Sequence, residues 1–167
     1  MVEYAEGPRA YFSYVRDCAG AAELVLGDAR LALERELREG RPQAFDLLIL
    51  DAFSSDSVPV HLLTREAFRV YAAHLRDADS VIAVNISNRF LDLRPVVFTM
   101  ADELGMEARL VPHLGTPPEP TPSVWVVMTR DGRLFDRPEF ENRAQPYARD
   151  RRIAWTDQYS NIFALLL

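Results

Sequence analysis

One run constrains the fold more than any other: Phe45-Asp46-Leu47-Leu48-Ile49-Leu50-Asp51. Residues 45–50 are almost continuously apolar, and the run stops at an acid followed by a loop rich in Ser, Asp and Pro. A short apolar segment bounded by turn formers predicts a strand buried on both faces, as in the middle of a parallel sheet. A strand of that kind needs helices on either side. The rest of the chain supplies helix-like and strand-like segments in alternation.

Spacing predicts a helix over residues 8–16, where Tyr11, Phe12 and Val15 recur at helical intervals. Residues 22–26 read as a short buried strand closed by Gly27 and Asp28, and 30–38, rich in Leu, Glu and Arg, as a helix ended by Gly40 and Pro42. Thr64 is placed to cap a helix running to about Arg76, with Ala67, Phe68, Tyr71, Ala72 and Leu75 on its apolar face. That pattern leaves His74 off the apolar face, in solvent. Strands are expected over 80–86, 106–111 and 123–129, and a helix over 95–104 with Gly105 at its end. The Pro-rich stretch 116–122 suits only a loop. Residues 130–150 read as polar and irregular, and the aromatic and apolar residues from Trp155 to Leu167 are expected to dock on the body. Strands alternating with helices predict an α/β fold with a mostly parallel sheet and helices on both faces.

Composition excludes several classes. The chain has 167 residues, 49% of them hydrophobic, so it can bury a core as one domain without metal or disulfide staples. No apolar run approaches the roughly 20 residues a membrane span requires. The 19 basic and 25 acidic residues give a net charge of −6, which argues against a nucleic-acid partner. Every basic residue is Arg, so Schiff-base and P-loop lysine chemistry are excluded. A single cysteine, Cys18, forms no internal disulfide and no multi-Cys zinc site, which suits a reducing, cytoplasmic location. The three histidines, His61, His74 and His113, are too dispersed to suggest a metal site.

In α/β sheets ligands sit beyond the carboxyl ends of the strands. Three polar exits meet that rule: Asp28 after Gly27, Asp51 with its loop, and residues 85–88. Asp51 and Asp56 together could receive an ammonium group, and one could take its proton, since an alkyl ammonium titrates near 10.4 and must be deprotonated to attack. The same residues also suit a turn cap at Asp51 and a solvated carboxylate at Asp56. Asp28 can accept hydrogen bonds from a nucleoside or cap the helix after it; by itself, capping is the stronger reading. No G-x-S-x-G elbow gives the serines of the loop a hydrolase context.

Several segments, in order, resemble the spermidine synthase family of polyamine aminopropyltransferases. FDLLILDAFSSDSVP at 45–59 resembles the family's core, and HLLTREAF at 61–68 fits its bacterial spermidine synthase-like branch. ELVLGDARLALERE at 23–36, VNISNRFLDLRPVV at 84–97 and WTDQYSN at 155–161 are similar to that branch as well. The resemblance implies a Rossmann-like methyltransferase fold. It implies transfer of an aminopropyl group from decarboxylated S-adenosylmethionine, as co-substrate, to an amine such as putrescine. It makes Asp51 the base that deprotonates the amine and gives Asp56 a part in holding that amine. Asp28 and Ala29 would contact the adenine. Asp157 and Tyr159 become possible neighbours of the pocket, with Tyr159 on the substrate side. The sequence departs from the family in having no G-x-G turn, so residues 1–167 are expected to be a truncated domain without the Gly-rich strand-turn-helix. Without the strands around that turn, the strand at 22–26 is expected to close up beside the one at 45–50, or a second chain to fill the gap in an oligomer. A non-catalytic binding module and an S-adenosylmethionine-dependent methyltransferase are the alternative functions.

Overall fold

A computed structural model describes residues 17–51, 58–115 and 121–167. The expected helix at 8–16, Asp56 and most of the Pro-rich loop lie outside those residues. The described chain is α/β, with a four-stranded open mixed sheet and four α-helices. In chain order the elements are α1 (Ala29–Arg38), β1 (Leu47–Leu50), α2 (Arg65–Ala73), β2 (Val81–Asn85), α3 (Arg94–Glu103), β3 (Glu107–His113), β4 (Ser123–Thr129) and α4 (Pro138–Glu141). Helix α1 begins at Asp28 and α2 at Thr64, each side chain accepting a hydrogen bond from a backbone N–H three residues on. Gly105 ends α3 with φ of +64°, a conformation that favours glycine.

The strand order is β1-β2-β4-β3. Only β1 and β2 run parallel; β4 is antiparallel to both of its neighbours. The expectation of a mostly parallel sheet is therefore corrected. Strand β4 follows β3 directly through a loop, and a direct connection between neighbouring strands reverses direction.

Register explains the core. Leu48, Ile82, Met128 and Ala108 form one cross-sheet row, and Leu50, Val84, Val126 and Leu110 the next. Both rows face the same side, where Phe68 and Tyr71 of α2 and Val96, Val97 and Met100 of α3 close the core with Trp155 and Leu165. Trp155 and Leu165 thus dock as expected, while Tyr159, Phe163, Leu166 and Leu167 of the same segment stay exposed. The opposite face is covered at β3, where the Arg109 guanidinium lies over the Phe135 ring. At β1 it stays open: Leu47 is 51% exposed and Ile49 55%. Burial of β1 on both sides, and helices over both faces, are corrected accordingly. Among the described residues the second face is covered at β3 by the 3-10 turn Gly132–Asp136, which carries Phe135, and α4 packs on that turn rather than on the sheet.

Residues 22–26 form no strand. Leu24, Val25 and Leu26 are exposed and no ladder includes them. Closing up beside β1 is thereby overturned. A strand requires a neighbour to take its N–H and C=O groups, and local apolar character alone supplies none.

No helix among the described residues is long and apolar enough to cross a membrane.

Candidate functional site

Asp51 follows β1 at its carboxyl end and is exposed. Its Oδ1 accepts a 2.8 Å hydrogen bond from Asn85 Nδ2, at the carboxyl end of the parallel neighbour β2. Asn85 is oriented by its other end, since Oδ1 accepts from the Ser87 backbone N–H at 2.9 Å. An amide whose oxygen is so engaged must turn its NH₂ to the acid. The second Asp51 oxygen bonds to no described residue. Two of the three strand exits singled out in the sequence therefore meet, and they place the Asp51 carboxylate beside a fixed amide.

The third exit lies at the start of α1. Gly27, with φ of +122°, turns the chain into Asp28. Asp28 Oδ1 accepts from Leu31 N at 2.9 Å, the capping role anticipated for it. Its Oδ2 accepts from His61 Nε2 at 2.8 Å. The Leu31 N–H, and then His61, hold the Asp28 carboxyl below its usual range. Ala29 is the exposed first residue of α1.

A cavity of about 600 Å³ opens beside this turn. Arg30, Val58, Pro59, His61, Thr156 and Tyr159 are among the residues that line it. Tyr159 is 66% exposed and sits in a tight turn, with Thr156 N donating to Tyr159 O at 2.9 Å. Asp28 borders the cavity through His61. Asp51 does not line it.

Arg30 joins these parts and escaped sequence reasoning. Its guanidinium donates to Glu34 Oε1, to His61 O, to Thr64 Oγ1, and to both oxygens of Asp157 at 2.6 and 2.5 Å. Asp157, supported also by Thr64 Oγ1, is held below its usual value, chiefly by Arg30. Arg30 and Asp157 are 127 residues apart, and no local pattern pairs them. His74 is a further correction: it is fully buried, accepting from Gln43 N at Nδ1 and donating to Leu33 O from Nε2. It stands at the end of α2, where the helical repeat no longer sets side-chain direction. Among the described residues no group of three His, Cys, Asp or Glu side chains is placed to hold a metal.

Compared with known proteins, the chain matches no family model and no curated protein.

Proposed function

We propose that the chain is an aminopropyltransferase-like protein, built on a Rossmann-like framework and similar to spermidine synthases. The observation that carries this reading is the Asp51–Asn85 pair at the carboxyl ends of two parallel strands. An exposed carboxylate at a strand end, with one oxygen held by an amide, suits an ammonium guest and can take its proton. In the reaction the amine nitrogen loses a proton to Asp51 and attacks the propyl carbon next to the sulfonium of decarboxylated S-adenosylmethionine. The N–C bond forms as the C–S bond breaks, and the electron pair leaves on sulfur as methylthioadenosine. The cavity beside Asp28 and Tyr159 falls in the range of small-molecule sites, roughly 300–1,000 Å³, and would take the nucleoside.

Calorimetry with methylthioadenosine and with putrescine tests the reading, together with an aminopropyl-transfer assay. Binding of both ligands is expected, and transfer that Asp51→Asn reduces at least about 100-fold, the usual scale for a general base. Transfer undiminished in Asp51→Asn would show that Asp51 is not the base. A second reading, a non-catalytic binding module, is favoured by residues 22–26, which stand exposed and unpaired where the resembling fold has a sheet strand. Binding of neither ligand would select it.

A further inference from the structure

We propose that Asp157 is a positioning residue: through its two-oxygen bond to Arg30 it fixes residues 156–160 as one wall of the 600 Å³ cavity, and so fixes Tyr159 against a bound nucleoside. The ligand in this proposal rests on the nucleoside reading above; the positioning of the wall does not.

Arg30 is an unusual post. It is only 9% exposed despite its charge, and its donors are shared among Glu34, His61, Thr64 and Asp157. A guanidinium bonded on every side has one geometry, and its planar fork matches a carboxylate in a way an ammonium cannot. What it holds is a segment with little structure of its own. Trp155 is buried in the core at one end and Leu165 at the other, while residues 158–163 between them are exposed. Across that interval Asp157 supplies the side-chain tether to the body, on Arg30 and on Thr64, and its backbone N–H donates to Glu66 Oε2 at 3.0 Å. The tight turn from Thr156 then hands the position of Asp157 to Tyr159. A tyrosine ring offers a flat apolar face with few rotatable bonds, which suits stacking on a planar base.

The test uses the full chain, with hydrogen exchange at residues 156–160 and calorimetry with methylthioadenosine. Asp157→Asn should speed exchange at 156–160 while protection in β2 and α3 stays as in the wild type. It should weaken methylthioadenosine about tenfold, the scale of one aromatic contact. Asp157→Glu should recover part of both effects. Arg30→Lys, which keeps the charge and loses the fork, should loosen the wall as Asp157→Asn does. The double variant Asp157→Asn with Tyr159→Ala should bind no more weakly than Tyr159→Ala, because the acid acts through the ring. Unchanged exchange in Asp157→Asn overturns the positioning role, and additive losses in the double variant overturn the route through Tyr159. If the wild type binds no nucleoside, the nucleoside reading fails; faster exchange in Asp157→Asn would still uphold the positioned wall.

Discussion

Trp155 is the largest fully buried side chain among the described residues, yet its indole Nε1–H has no partner among them. A buried donor without an acceptor is a standing cost, so its removal returns something. Trp155→Phe therefore gives up ring volume and no hydrogen bond, and should destabilise by less than about 2 kcal/mol. Trp155→Ala empties the site and should cost about 3–5 kcal/mol. Urea denaturation of the two variants checks the gap. Equal losses would mean that the indole N–H is bonded in solution. Thr64 is the opposite case. Its buried hydroxyl caps α2, accepts from Arg30 and donates to Asp157. Thr64→Val keeps the shape and abandons all three bonds, at a cost of about 2–3 kcal/mol. Thr64→Ser keeps them and loses one methyl group, about 0.8 kcal/mol. A serine variant less stable than the valine variant would remove the hydroxyl from this account.

Where an element is decided by its own residues, it was readable in the sequence. The caps at Asp28 and Thr64, the stop at Gly105 and the apolar face of α2 are local chemistry, and each appears where the pattern put it. Strands β2, β3 and β4 were placed to within two residues by their apolar runs. What the pattern does not carry is what each strand lies against. The apolar run of β1 looks buried on both sides, but Leu47 and Ile49 meet no second layer among the described residues. Residues 22–26 have the composition of a strand and no ladder to join. Strand direction is equally a matter of neighbours, so the antiparallel β4 was missed. The site divides in the same way. Asp51 and Asn85 were legible as strand exits, and their meeting follows from parallel pairing in register. The clasp between Arg30 and Asp157 joins distant segments that carry no shared signal.

At the scale of the whole molecule, charge pairs tie segments to one another outside the core. Asp157 ties the C-terminal segment to α1, and Glu103 ties α3 to Arg65 of α2. Both carboxyls, and that of Asp28, are held below their ordinary values, Asp157 and Glu103 by their arginine partners and Asp28 by a backbone N–H. A depressed carboxyl contributes stability in full above its unfolded pKa, near 4, and loses it as pH falls through the lower folded value. Denaturation at pH 7 and pH 3 should therefore show wild type ahead of Asp157→Asn at pH 7, with the difference shrinking at pH 3. A difference that grew with acid would reverse the sign of the argument. The sheet is asymmetric on the same scale: closed by α2 and α3 on one side, open at β1 on the other. That asymmetry can be tested at adjacent positions of one strand. Leu48 packs against the core, and Leu48→Ala should cost about 2–5 kcal/mol. Ile49 points the other way, and Ile49→Lys should change stability by no more than about 0.5 kcal/mol. Charge at Ile49 should also lower the fluorescence of a dye that binds exposed apolar surface, since the lysine breaks the patch shared with Leu47. If Ile49→Lys instead costs as much as Leu48→Ala, the open face is covered in solution, and β1 is an interior strand after all.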